Sequence, residues 1–176
     1  DTVKVLGPLG AGFPENPSAD RIYVGGGCGL PPLLFDATLT PGTGKKLFAG
    51  FRNASDVLLR KEFEEHGVTV AVATEDGSEG ESGLVTDILK KYLDKAEANH
   101  IIYASGPMLM LEAVDAIIQE RSLEGYLCLE SYMACGFGAC NGCVYTFRGP
   151  DGQEVYKKVC VEGPVFKSGE VIWQTA

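Results

Sequence analysis

Six cysteines occur in this chain of 176 residues, and four of them have a spacing that suggests chemistry. They stand as Cys135-Gly-Phe-Gly-Ala-Cys140-Asn-Gly-Cys143, with Cys160 seventeen positions beyond Cys143, or C-x4-C-x2-C-x16-C. The first three match the plant-type [2Fe–2S] ligand spacing, in which a loop wraps one end of the cluster and a distant cysteine closes the other. Gly136, Gly138, Ala139 and Gly142 between them are small, so the backbone can lie against a cluster and aim N–H groups at its sulfurs. Three plainer readings compete. A structural zinc site also takes four cysteines, but zinc ribbons show two C-x2-C knuckles and this chain has one. Two disulfides belong to small, cysteine-dense chains of oxidising compartments. A redox pair of Cys140 and Cys143 would follow a strand and open a helix, whereas these two sit among glycines.

The elements that must position this loop come before it. Arg21-Ile-Tyr-Val24 reads as a strand, followed at once by Gly25-Gly-Gly27-Cys28-Gly29 and by a helix over 33–39, preceded by Pro31 and Pro32 and with proline in its first turn. Strand, glycine loop and helix N-terminus make a phosphate cradle, although a plain tight turn fits the same residues. The strict G-x-G-x-x-G fingerprint fails, because Leu30 takes the third glycine position. Further strands are expected at 46–51, 68–73, 101–104 and 126–129, with helices at 54–66, 83–99 and 108–121. Strand 68–73 is apolar almost throughout, the mark of burial on both faces. It ends in Thr74-Glu75-Asp76-Gly77-Ser78, at the strand end that faces the ligand crevice of an open α/β sheet. Two carboxylates there would accept ribose hydroxyls and repel a 2′-phosphate, favouring NAD; the alternative is a solvated acidic turn.

The alternation implies α/β architecture: a five-stranded parallel sheet flanked by helices, plus a small C-terminal module with a β-hairpin. The hairpin is expected over 144–159 around Gly149-Pro-Asp-Gly152, returning the chain so that Cys160 reaches the cluster. Residues from 161 to the tail at Trp173 should cover that module. Cys128 reads as a small buried hydrophobe, and Cys28 in the glycine loop could touch a cofactor. Thr2-Val-Lys-Val-Leu6 reads as the last strand of a preceding domain, and 7–14 as a linker or a glycine loop against a cofactor. The division expected is 1–20, end of a missing barrel and linker; 21–130, nucleotide-binding domain; and 131–176, cluster module.

A net charge of −9 argues against nucleic acid as a partner. No apolar run reaches the ~18 residues of a membrane span. With no secretory signal pattern and several thiols, the expected location is the cytoplasm.

Several motifs together resemble one family. Gly7-Pro-Leu-Gly-Ala-Gly-Phe13, Val24-Gly-Gly-Gly-Cys-Gly29, Gly50-Phe-Arg-Asn53, Thr74-Glu-Asp-Gly-Ser78 and Gly106-Pro-Met-Leu109 belong to the match. So do the segment from Glu130 to Cys143 and Val159-Cys-Val-Glu-Gly-Pro-Val-Phe166. They resemble the electron-transfer subunit of the NAD-linked, heteromeric dihydroorotate dehydrogenase. The resemblance implies a ferredoxin reductase-like protein of pyrimidine biosynthesis, an oxidoreductase component that is active only with its flavin domain and partner. Electrons from dihydroorotate, oxidised at FMN in a separate catalytic subunit (a heterotetramer), would pass through [2Fe–2S] and FAD to NAD. By position, Cys135, Cys140, Cys143 and Cys160 would ligate iron. Gly25, Gly26, Gly27, Gly29, Thr74, Glu75, Asp76, Gly77, Ser105, Gly106, Pro107 and Met108 would line the nicotinamide nucleotide site. FAD would require the barrel that this chain lacks. Ser105 stands where reductases of this superfamily commonly carry cysteine. Two alternatives remain: an NAD(P) reductase subunit of a hydrogenase- or ferredoxin-linked complex, and a zinc-stabilised, non-enzymatic module.

Overall fold

Strands with apolar side chains on both faces must be covered twice, and this requirement organises the fold. The computed structural model describes residues 2–15, 20–40, 44–96 and 100–173. The five expected strands form as β1 (Asp20–Gly26), β2 (Lys45–Phe51), β3 (Val68–Thr74), β5 (His100–Ser105) and β6 (Glu124–Cys128). The two-residue β4 (Glu81–Ser82) extends one edge, and β9 (Val165–Lys167) the other. The sheet order is β4-β3-β2-β1-β5-β6-β9, parallel throughout except for the antiparallel β6–β9 pair.

Alternate residues feed two separate cores. Tyr23, Leu47, Ala49, Ile101 and Tyr103 face α1 (Leu30–Leu39) and α2 (Arg60–Glu65), joining Leu33, Ala37 and Phe63. Ile22, Val24, Phe48, Ile102 and Ala104 face the other side. There Ile88 and Leu89 of α3 (Val85–Leu93) and Leu111, Val114 and Ile118 of α4 (Met108–Glu120) close over them. Full burial of each Val, Leu, Ile or Phe among them contributes about 1.5–3 kcal/mol. The second core does not stop at residue 130. It continues through Cys143, Phe147, Val159, Cys160, Phe166 and Val171, so the cysteine module shares it. The expected hairpin forms as β7 (Val144–Arg148) and β8 (Glu154–Lys158), followed by the four-residue α5 (Val159–Glu162).

Several boundaries differ from the sequence reading. The helix expected over 54–66 splits into a 3-10 turn, Ala54–Asp56, and α2, because Leu59 takes a left-handed φ of 58° and breaks the run. Helix α1 starts at Leu30 rather than Leu33, and proline stands in its first turn as expected. Helix α3 starts after Leu84, whose N–H donates to Asp87 Oδ2 at 3.1 Å. It ends at Leu93, and 97–99 lie outside the described residues. Residues 2–6, expected as a strand, pair with no other strand among the described residues, and Val3, Val5 and Leu6 are exposed. The segment after them is pinned. Ala11 N–H donates to Gly163 O at 2.6 Å, Phe13 packs on Tyr103 at 5.0 Å, and Tyr103 Oη donates to Pro14 O at 2.8 Å. Among the described residues, no helix is long and apolar enough to cross a membrane.

Candidate nucleotide cleft and cysteine site

From β1 the chain steps through β2 to β3 in one direction, then returns to place β5 on the other side of β1. That reversal leaves a crevice at the carboxyl ends of β1 and β5, where open α/β sheets bind ligands. A cleft of about 890 Å³ opens there. Gly26, Gly27 and Pro107 line it at the switch point, and Gly50, Phe51, Arg52 and Glu75 at the ends of the neighbouring strands. Val57 and Leu58, freed by the break before α2, form another part of the wall. Two glycines explain how the loops close so tightly. A Cβ on Gly29 would overlap the Ser105 carbonyl, and one on Gly106 would come within 2.7 Å of Met110 Cε and 3.1 Å of Gly26 N.

The sequence-expected nucleotide residues divide by role. Gly26, Gly27, Glu75 and Pro107 line the cleft. Gly25 packs against Leu30 and Leu33, and Ser105 is buried behind the loops beside Cys128, its register partner. Thr74 is buried, with its hydroxyl donating to Glu79 O at 2.7 Å. Asp76 turns into its own loop, where Oδ1 accepts from Ser78 N at 2.9 Å and Ser78 Oγ at 2.5 Å, and Gly77 completes the turn with a φ of 72°. The Ser78 hydroxyl and N–H hold the Asp76 carboxyl below the usual range. Of the two acids, then, Glu75 faces the cleft. Met108 packs toward the cysteine module, its sulfur 3.9 Å from Tyr145 Oη.

The source of anion-attracting N–H groups also shifts. Prolines in the first turn of α1 supply no N–H, and Leu30 N–H is spent on Gly27 O. Helix α4 keeps its first N–H groups free beside the cleft, since its first helical bond runs from Leu111 N to Pro107 O. Sequence reasoning assigned no role to Arg52, Ser55, Val85 or Met110, which also line the cleft. Arg52 lies within Gly50-Phe-Arg-Asn53, but nothing local says which way an arginine at a strand end turns.

The second site occupies the irregular loop after β6. The four thiols come as two pairs. Cys143, just before β7, and Cys160, in α5, are buried with their sulfurs 3.3 Å apart, and Val159 N–H donates to Cys143 O at 3.0 Å. Cys135 and Cys140 are half-buried on the loop, with Cys140 N–H donating to Cys135 Sγ at 3.4 Å. Gly142 N–H reaches Cys140 Sγ at 3.4 Å, and Lys158 Nζ holds the loop through Gly138 O at 2.7 Å. Backbone N–H groups, Cys140's first and then Phe137's, pull the Cys135 thiol down to about 6. The Cys160 N–H lowers the Cys143 thiol, while hydrogen bonding to Cys143 raises the Cys160 thiol. Cys128 is buried outside the loop, and burial pushes its thiol up.

Among the described residues, no three His, Cys, Asp or Glu side chains already stand around one point that would hold a single metal ion. A tetrahedral ion at ~2.3 Å from each sulfur would set all four about 3.8 Å apart. One sulfur pair 3.3 Å apart, and main-chain N–H groups aimed at the other two sulfurs, suit a two-iron cluster, in which each iron takes two thiolates. The donor set fits such a cluster.

Comparisons with known proteins agree with this geometry. A family model described as the oxidoreductase NAD-binding domain matches residues 24–116, and one described as the iron–sulfur cluster binding domain of dihydroorotate dehydrogenase B matches 130–172. The chain is 42% identical over 98% of its length to the dihydroorotate dehydrogenase B (NAD(+)) electron transfer subunit of Geobacillus sp. (strain WCH70). It is 43% identical over 97% of its length to the subunit of the same name from Listeria welshimeri, and it spans 66% of the length of each relative. A solved NADH-dependent reduced ferredoxin–NADP oxidoreductase superposes with a TM-score of 0.83 at 29% identity, covering 97% of this chain and 60% of that one. With residues 130–172 matching the iron–sulfur cluster binding domain model beside it, the chain belongs to the oxidoreductase NAD-binding domain family.

Proposed function

We propose that the chain is the relay part of a cytoplasmic dihydroorotate-oxidising complex of pyrimidine biosynthesis. Electrons released at FMN in a partner catalytic subunit would pass through [2Fe–2S] and FAD to NAD. The observation that carries this reading is the placement of a paired-thiol loop and a switch-point nucleotide cleft on one shared core. Similarity to named electron transfer subunits over 98% of the chain supports it.

In this reading 1–20 lead in from a flavin-binding barrel, 21–130 bind NAD, and 131–176 hold the cluster. The bound cluster supplies a one-electron carrier between flavins. Cys135, Cys140, Cys143 and Cys160 would hold it, and the N–H groups of Cys140 and Gly142 would stabilise charge on the Cys135 and Cys140 thiolates. At the cleft, Gly26 and Gly27 let the nucleotide backbone approach, and the free N–H groups of α4 favour its phosphates. Glu75 accepts a ribose hydroxyl and repels a 2′-phosphate, which selects NAD. Gly25, Gly29, Thr74, Asp76, Gly77, Ser105, Gly106 and Met108 shape or support the walls of that site. Without a flavin domain and its partner the chain transfers no electrons from dihydroorotate.

The test is reconstitution of the full complex with dihydroorotate as donor. NADH should form only when the FMN subunit is present, and NADP should be a poor substitute. One observation favours a second reading, a ferredoxin-linked NAD(P) reductase subunit: the structural likeness to the NADH-dependent reduced ferredoxin–NADP oxidoreductase. Reduction of NAD by reduced ferredoxin, with none from dihydroorotate, would establish that alternative.

A further inference from the structure

The cleft and the cysteine module meet on one helix. The N-terminal half of α4 lines the cleft through Leu109, Met110 and Ala113. Asp115, two positions on, faces away from the cleft and is only 5% exposed. Its carboxylate takes three donors from a segment more than fifty residues later. Oδ1 accepts from the Ser168 hydroxyl and from Gly169 N–H at 2.9 Å, and Oδ2 accepts from Trp173 Nε1–H at 2.7 Å. Gln119, one turn along α4, donates to Ser168 Oγ at 2.9 Å.

The segment so gripped is also the support of the cluster hairpin. Arg148 N–H donates to Glu170 O at 2.7 Å, and Ile172 N–H to Thr146 O at 3.0 Å. Lys157 Nζ pairs with Glu170 at 2.9 Å. Strand β7 follows directly on Cys143 and β8 leads directly to Cys160. The chain of contacts therefore runs from both buried cysteines through the hairpin to 168–173, and from there to a single carboxylate on the cleft helix. A carboxylate that uses both oxygens on fixed donors sets direction as well as distance, which an apolar contact does not.

We propose that Asp115 is a positioning residue that clamps the segment carrying the cluster hairpin to the helix lining the nucleotide cleft, and so sets how the two redox sites face each other. The kinetic part of this rests on the relay reading above; the clamp itself does not.

Asp115→Asn tests it in the complete, flavin-loaded complex. The amide NH2 must meet either Trp173 or the Ser168–Gly169 pair donor to donor, so one side of the clamp opens with little change in volume. Trp173 is the only tryptophan of this sequence. Trp173→Phe removes the indole donor, and the emission lost with it isolates the Trp173 signal. In this transfer each NADH becomes NAD⁺ and a proton, and its two electrons reduce two clusters by one each.

We expect D115N to red-shift the Trp173 emission while keeping wild-type iron content and NAD affinity. Dithionite, which reduces the cluster directly, should bleach it at the wild-type rate, and NADH should bleach it at least about tenfold more slowly. W173F should slow the NADH-driven step by less. A red shift with an unchanged NADH-driven rate would overturn the proposal, as would an unshifted emission. Joint loss of iron and NAD binding in both variants would reduce Asp115 to a folding contact. If NADH fails to reduce the wild-type cluster, the relay reading falls instead, and the emission alone decides the clamp.

Discussion

The nucleotide cleft and the cysteine loop lie on the same core but are held by different means. The cleft is made from the ends of parallel strands buried on both faces, and its loops touch backbone to backbone at Gly29 and Gly106. Its shape follows from sheet packing and needs no ligand. The cysteine loop has no regular structure between β6 and β7. It leaves Tyr132 97% exposed and Phe137 53% exposed, and relies on N–H to sulfur contacts and on Lys158 reaching Gly138. A loop so lightly tied gains most of its order from the metal it binds, because ligand binding free energy becomes folding free energy there. One region is a preformed receptor and the other is completed by its cofactor.

The sharpest way to break that comparison is Cys140→Ser. It removes one thiolate of the half-buried pair, and bound iron should fall to a small fraction of wild type. The sheet should stay folded, since both of its cores lack Cys140. Far-UV circular dichroism and an iron count check this, and wild-type iron in the variant would end the ligand assignment. Gly29→Ala acts on the other region. Its methyl group collides with the Ser105 carbonyl, so the cleft loops must part, at about 1–3 kcal/mol. Weaker NAD binding by titration calorimetry with unchanged iron content is the expected result. Glu75→Gln is milder: it removes the one charge that the proposed function sets against the ribose, and the preference for NAD over NADP should fall by about tenfold, or ~1.4 kcal/mol. An unchanged preference would place the selectivity elsewhere. Cys128→Ala should do least, leaving iron content and NAD affinity as they are, because this buried thiol belongs to neither site.

What could be read from the sequence follows the range of the interactions. Strand β3 was legible because Val68-Thr-Val-Ala-Val-Ala73 carries its double burial in consecutive residues. That Cys135 lies by Cys140 and Cys143 by Cys160 was legible because their spacing is written along the chain. The break before α2 was not, since the left-handed turn at Leu59 lies inside a run whose apolar spacing suits a helix. Nor was the difference between Glu75 and Asp76, which depends on Ser78 drawing one carboxylate into its own turn. Asp115 left no trace at all. Like Glu112 and Glu120 on the same helix, it reads as an exposed acid until its partners, more than fifty residues away, are in place. The shared core was missed for the same reason. Cys143 and Phe147 look like parts of a separate module, and they join the α4 core only through long-range contacts, the pairing of β9 with β6 and the bonds from α4 to 168–173.

The central claim is that the four thiols hold a two-iron centre beside a nucleotide cleft. Its most direct test is the visible absorption spectrum of anaerobically purified protein, with iron and acid-labile sulfide counted per chain. The account predicts a red-brown protein with about two irons and two sulfides per chain, bleached by dithionite. A colourless protein carrying one zinc on the same cysteines would contradict it.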